Sequence, residues 1–394
     1  MPHWRRNYIV QPPWVFCGLH IQRCHRSFRK VGLTLLGSRQ LGAWERVNTN
    51  SSAHVSVVLP CRNEATSIRS CLESIAASDY STDKLEALVV DGISDDGSRE
   101  IILEFVERYP WIKLLDNSSK VTPAGLNLGI QVAKGEIVIR MDAHNEYPPN
   151  YISQLVGWLR KSGADNVGGI THTQAANGTP KANAIALGLS HPFGVGNSHF
   201  RIGVSEPKWV DTVPFGCYRK EVFDKIGLFD VELVRNQDDE FNHRLIKHGG
   251  RILLVPEIAS RYIARDSLSK LWVMYYQYGY FKPLVARKIG RVMTVRQLIP
   301  SLFVLTLILA VLFAPWFSSM RMLLAVLVTS YAAFALFFSA RAALNKGVQC
   351  GLWLSGVFPV IHLSYGWGYL KGMLDFLLRG KKGIHDPTAM PLSR

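Results

Sequence analysis

The sequence predicts an α/β domain on a mainly parallel sheet, followed towards the C-terminus by transmembrane helices. Three observations carry this expectation. From residue 54 onward short β-branched runs alternate with segments of helical periodicity, positive charge is confined to the two flanks, and three long uncharged stretches crowd the C-terminal end. Alternating strand and helix signals are the pattern of right-handed βαβ units. A length of 394 residues has room for two structural units.

The elements follow in order. VSVVLP (55–60) is a β-branched run, ATSIRSCLESIAAS (65–78) spaces its apolar residues helically, and LEALVVDG (85–92) is a second strand. SREIILEFVERY (98–109), IKLLDN (112–117), TPAGLNLGIQVAKG (122–135) and EIVIRMDAH (136–144) continue the alternation. Ligands of such sheets sit beyond the strand C-termini. Those ends carry Pro60, Cys61, Arg62, Asn63 and Glu64, then Asp91 with Asp95 and Asp96, then Asp142 and His144, all converging at one edge. No G-x-G-x-x-G follows the first strand and no G-x-x-x-x-G-K-[ST] is present, which disfavours a dinucleotide fold and a P-loop. What remains is a nucleotide cleft with acidic groups, and acids beside phosphates call for a divalent cation between them.

Residues 1–50 carry a net +7, residues 51–281 a net −3 and residues 282–394 a net +11. Basic residues beside apolar spans mark the cytoplasmic face of a membrane, so a membrane partner is expected and nucleic acid is not. The uncharged stretches 297–320, 322–340 and 347–370 are each long enough to cross a hydrocarbon core of about 30 Å. The first two have no polar face; the third carries His362, Ser364 and several glycines, which suits packing against other helices or an interfacial position. Arg287, Lys288, Arg291 and Arg296 place the globular domain on the cytoplasmic side, and the side of the C-terminus stays open. Six scattered cysteines without a CxxC pair imply neither disulfides nor zinc. The aromatic, basic N-terminal segment lacks the pattern of a secretory signal and is read as an interfacial anchor or a simple extension.

The runs VSVVLPCRNE, VVDGISDDGS, TPAGLNLGIQVAKGEIVIRMDAH and RNQDDEFNHRL resemble those of inverting family 2 glycosyltransferases of the GT-A fold, over residues 54–281. DAH in place of D-x-D, VDTVPFGCYRKEVFDKIGLFD and NQDDE resemble the membrane-anchored exopolysaccharide subgroup of the succinoglycan β-1,3-glucosyltransferase type. The resemblance implies a UDP-sugar donor held by Pro60, Arg62, Glu64, Asp91, Asp96 and Asp142. It also implies Mg²⁺ or Mn²⁺ on Asp142 and His144, the imidazole favouring Mn²⁺. A general base is expected at Asp238 or Asp239, with Asp238 the better match; the competing view is that Asp238, Asp239 and Glu240 cap a helix. The acceptor or diphosphate segment of processive synthases, Q-x-x-R-W, corresponds to Gln277–Lys282 here, with Tyr and Phe at its Arg and Trp positions, and Gln277 and Lys282 are its candidate contacts.

The expected organisation is a basic extension (1–53), a GT-A domain (54–281), a basic juxtamembrane linker (282–296), two to three spans (297–371) and a basic tail (372–394). The expected function is transfer of a hexose, glucose first among the candidates, from a UDP-sugar to a polyprenyl-linked glycan in exopolysaccharide synthesis at a bacterial inner membrane. Polysaccharide assembly proteins are further expected partners. Two alternatives stand beside it: a processive synthase, disfavoured by the altered Q-x-x-R-W, and an inactive nucleotide-binding subunit of an export complex, disfavoured by the intact acids.

Overall fold

The computed structural model describes residues 53–292 and 294–383. The anchor or extension expected at the N-terminus, with Cys17 and Cys24, lies outside the described residues, as does the tail beyond 383.

The first half is a βαβ series: β1 (Val55–Cys61), α1 (Ile68–Ala76), β2 (Leu85–Asp91), α2 (Ser98–Arg108), β3 (Ile112–Asp116), α3 (Thr122–Val132) and β4 (Ile137–Arg140). These strands lie in the order β3-β2-β1-β4, all parallel. Both faces are covered, which is why the strands read as continuous apolar runs. Val55, Val57 and Leu59 point into a core shared with Ile68, Leu72 and Ile102. Val58, Leu88 and Val90 point the other way, against Leu126 and Ile130.

The second half comprises β5 (Asn145–Glu146), α4 (Tyr151–Ser162), β6 (Asn166–Gln174), α5 (Pro180–Gly188), α6 (Pro192–Val195), α7 (His199–Ile202), β7 (Lys208–Val210), β8 (Cys217–Arg219), α8 (Glu221–Ile226), α9 (Gln237–Lys247) and β9 (Ile252–Ile263). β8 enters antiparallel between β4 and β6, β9 runs parallel to β6, and β5 and β7 flank β9 antiparallel. The sheet is therefore parallel in its first half and mixed in its second.

Four helices close the chain: α10 (Leu268–Ile289), α11 (Ile299–Phe313), α12 (Ser318–Lys346) and α13 (Val348–Gly372). The segments 295–313 and 318–346 are long and apolar enough to cross a membrane, and only 17% and 11% of their most apolar windows are buried. Core helices of a soluble protein would be buried; Leu302, Met322, Val326 and Phe334 instead stand exposed.

α13 differs from both. It lies along α10, and the glycines noted in HLSYGWGYLKG are its contact points: a Cβ on Gly368 would fall 2.2 Å from the Tyr276 carbonyl, and one on Gly372 2.1 Å from that of Tyr280. Gly279 on α10 returns the relationship, 2.0 Å from the Tyr365 carbonyl. Small residues let helix backbones approach this closely. Leu354, Val357, Phe358 and Ile361 of α13 then share one core with Ile185 of α5 and Leu271 and Met274 of α10. α10 itself runs unbroken through position 282, and its basic end is turned partly inward: Lys288 pairs with Asp230 at 2.6 Å, and Arg287 donates to the Lys381 carbonyl at 3.0 Å.

Candidate active site

Two loops at the strand ends are laced together. Asn63 donates to Asp95 at 2.9 Å and accepts from the Asp95 amide at 3.1 Å, the Glu64 amide donates to Ser98 Oγ at 2.7 Å, and the Ala65 amide to Asp96 at 3.0 Å. Asp91 is fully buried and accepts from Ser94 Oγ at 2.5 Å and from Arg99 at 3.2 Å, so it braces the second loop from below. Asp96 opposes its own partial desolvation with hydrogen bonds from Ser98 and the Ala65 amide, which hold its pKa below the usual carboxylate range. Ile93 sits at φ 55°, a region β-branched residues avoid, so the loop holds a strained backbone beside the cleft.

Asp142 and His144 lie in the turn after β4, where Tyr147 Oη accepts from the Asp142 amide at 2.8 Å. His144 Nε2 is 3.9 Å from Asp142 Oδ2, and its Nδ1 is 3.5 Å from Glu64 Oε1. Arg140, from the last position of β4, reaches Asp142 at 3.2 Å and Asp238 at 3.6 Å. Burial opposes its charge, but these carboxylates outweigh it and its pKa moves up.

The acidic run opens α9. Asn236 precedes it at φ 60°, a conformation asparagine tolerates, and donates to the Tyr278 carbonyl at 2.9 Å, fixing the start of α9 against α10. The three acids then diverge. Glu240 is buried and pairs with Arg244 at 2.8 Å, a structural role. Asp239 is ion-paired with Lys282 of α10. Asp238 accepts from the Asp239 amide at 3.1 Å and keeps 35% of its side chain exposed, towards the cavity it lines. Burial and the Asp239 carboxylate raise its pKa, outweighing the pull of Arg140 and Lys282.

One cavity of ≈ 630 Å³ gathers Asp142, His144, Asp238, Asp239 and Lys282. Pro60, Arg62, Glu64, Asp91 and Asp96 stand on the neighbouring loops and are not part of its wall; the Glu64–His144 contact joins the two regions. Gln277 is buried within α10 and accepts from Arg235 Nε at 3.1 Å; Arg235 lines the cavity and Gln277 does not. Arg140, Arg201 and Arg296 also line the cavity and were not anticipated. Arg140 was legible in EIVIRMDAH, since a charge inside an apolar strand needs a partner. The other two fall in segments without periodicity.

Asp142 and His144 offer a carboxylate and an imidazole on one wall, a donor set that fits Mg²⁺ or Mn²⁺ completed by ligand oxygens. Among the described residues no group of three or more His, Cys, Asp or Glu forms a full protein cage.

A mixed sheet whose parallel half ends in acidic loops, facing acids on a later helix, has the architecture of the GT-A fold. Residues 56–227 match the family model Glycosyl transferase family 2. A succinoglycan biosynthesis protein of Rhizobium meliloti is 28% identical over 325 residues, covering 82% of this chain and 96% of that protein. A dolichyl N-acetyl-α-D-glucosaminyl phosphate 3-β-D-2,3-diacetamido-2,3-dideoxy-β-D-glucuronosyltransferase of Methanococcus voltae is 29% identical over 242 residues, covering 59% of this chain and 74% of that protein. In fold, the chain is similar to a mannosyltransferase of Pyrobaculum calidifontis solved with GDP-Man and Mn²⁺, with TM-score 0.50, 18% identity and coverage of 82% of this chain and 89% of that one. Residues 56–227 thus carry a glycosyltransferase family 2 domain, and the sequence relatives point to an enzyme of the glycosyltransferase class.

Proposed function

We propose that this glycosyltransferase moves one hexose from a UDP-sugar to a polyprenyl-linked glycan, with inversion, at the cytoplasmic face of a bacterial inner membrane, in the synthesis of an exopolysaccharide. The supporting observation is the cavity, whose wall runs without interruption from Asp142 and Asp238 to Ile299 and Phe303 of α11, Tyr331 of α12 and Ile361 of α13. A soluble acceptor has no use for an apolar exit among membrane helices. The names of the Rhizobium and Methanococcus relatives, one a succinoglycan protein and one acting on a dolichyl-linked sugar, support the same reading.

In this reading the strand-end loops bearing Pro60, Arg62, Glu64 and Asp96 take the nucleoside, with Asp91 bracing them. Asp142 and His144 would hold a divalent cation, which would supply neutralising charge to the diphosphate leaving group. Asp238 accepts the proton of the acceptor hydroxyl as its oxygen bonds to the anomeric carbon, while the bond to the diphosphate oxygen breaks and UDP departs with the electron pair. A raised pKa suits a base that must hold a proton after the transfer. Lys282 neutralises Asp239, so Asp238 is the carboxylate left for this work. Arg140 spaces Asp142 from Asp238, keeping leaving-group and base sides apart.

A radiolabel assay on membranes carrying the protein, with a panel of UDP- and GDP-sugars, tests the reading. Label from a UDP-hexose passing into an organic-extractable lipid supports it; label released only as free sugar, or long polymer from one turnover pool, contradicts it.

A further inference from the structure

Arg201 lines the cavity among aromatic rings. Its Nη1 is buried without a hydrogen-bond partner, and no carboxylate among the described residues comes within ion-pairing distance. The other cations discussed are engaged: Arg140 with Asp142 and Asp238, Lys282 with Asp239, Arg296 with Asp211 at 3.5 Å. Rings surround Arg201 instead, with its guanidinium 5.4 Å from the centroids of both Phe200 and Tyr262. A guanidinium placed like this is costly unless an anion joins it.

Its position says which anion. Tyr262 also meets the His144 ring, centroids 5.7 Å apart, so one aromatic ring separates Arg201 from the centre where the donor diphosphate would lie. Beyond Arg201 the wall turns apolar. Phe193 packs on Tyr331 and His362 with centroids 5.8 and 5.3 Å away, and Phe303 stacks on Tyr331 at 5.0 Å. His362 fixes this wall, with one ring nitrogen 2.8 Å from Tyr331 Oη and the other 2.8 Å from the Phe193 carbonyl. A second anion site therefore opens directly onto an aromatic slot between α11, α12 and the α6 segment.

We infer that Arg201 binds the phosphate of the prenyl-linked acceptor and that the slot of Phe193, Phe303 and Tyr331 takes the first isoprene units. This rests on the lipid-acceptor reading above and adds the residues that read the lipid's head. Arg201 is then a binding residue of the acceptor, distinct from the donor's cation site.

The test uses the full-length protein in detergent with saturating UDP, so that the donor site is filled. Binding of geranylgeranyl diphosphate, geranylgeraniol and inorganic diphosphate is measured by thermal shift and by titration. Wild type should bind the prenyl diphosphate roughly 10-fold or more tighter than the alcohol, as expected for a desolvated charge-assisted contact. Arg201→Gln should remove that gap, Arg201→Lys should keep part of it, and both should still be stabilised by UDP. Phe303→Ala should weaken diphosphate and alcohol alike. If wild type shows the gap and the UDP-stabilised Arg201→Gln keeps it, the Arg201 assignment is overturned and the lipid-acceptor reading survives. If wild type binds the prenyl diphosphate and the alcohol equally, the anion contact of Arg201 is overturned; if it binds neither, the lipid-acceptor reading fails. Inorganic diphosphate binding as tightly as the prenyl form would overturn the aromatic slot.

Discussion

Lys282 is ion-paired with Asp239 and not with its neighbour Asp238, so two adjacent carboxylates on one helix turn are set in different electrical surroundings. One is neutralised by a nearly buried ammonium. The other faces the cavity with a pKa pushed up by burial and by the Asp239 carboxylate.

These surroundings fix the sign of two pH shifts. The base works deprotonated, so kcat/KM should fall on the acid side as pH drops through the pKa of Asp238, at a pH above the usual carboxylate range. Lys282 lowers this pKa and Asp239 raises it. Lys282→Met should therefore move the acid limb to higher pH, and Asp239→Asn should move it to lower pH. Profiles of kcat/KM for both variants check this; shifts of the same sign would show that the limb belongs to another group.

Asp142→Asn should lower transfer by about 10²-fold or more, because a cation's charge stabilisation is worth several kcal/mol. His144→Ala should weaken Mn²⁺ affinity by roughly 10–100-fold, the range seen when support of a metal site is lost. Mn²⁺ titration of each variant reads the affinity directly. Full activity in metal-free, chelated enzyme would remove the cation from the account.

The docking of α13 on α10 makes Gly368 intolerant of a side chain. Gly368→Val should destabilise the detergent-solubilised protein by about 1–3 kcal/mol, the usual cost of overpacking. Thermal unfolding measures it. For the same reason a chain ending at residue 296 should aggregate, since it bares the faces of α5 and α10 that α13 covers; a soluble, monomeric fragment would show that this core is dispensable.

Periodicity made the first half of the domain legible: strands and helices from Val55 to Arg140 begin and end within a few residues of where the pattern puts them. β7 and β8 have three residues each, too few for any period to show, and so the mixed half of the sheet was not visible. Asp142 and His144 do converge, in the turn that follows β4. All three acids of the run lie in the first turn of α9, where the helix dipole favours them, and Glu240 is in addition held by Arg244. Lys288 and Arg296 looked like residues for a lipid surface; their pairs with Asp230 and Asp211 depend on contacts distant in sequence. Arg201 had no signal at all, because α7 is one turn long and its neighbours come from β9 and α10.

The central claim is that Asp238 takes the acceptor proton. The most direct measurement compares kcat and nucleotide-sugar Kd for Asp238→Asn and Asp239→Asn in the same membrane preparation. The account predicts a loss of roughly 10²–10⁴ in kcat for Asp238→Asn, the range for a missing general base, with donor binding little changed and a smaller loss for Asp239→Asn. Near-normal rates in both variants would contradict it and leave the acidic run as the cap of α9.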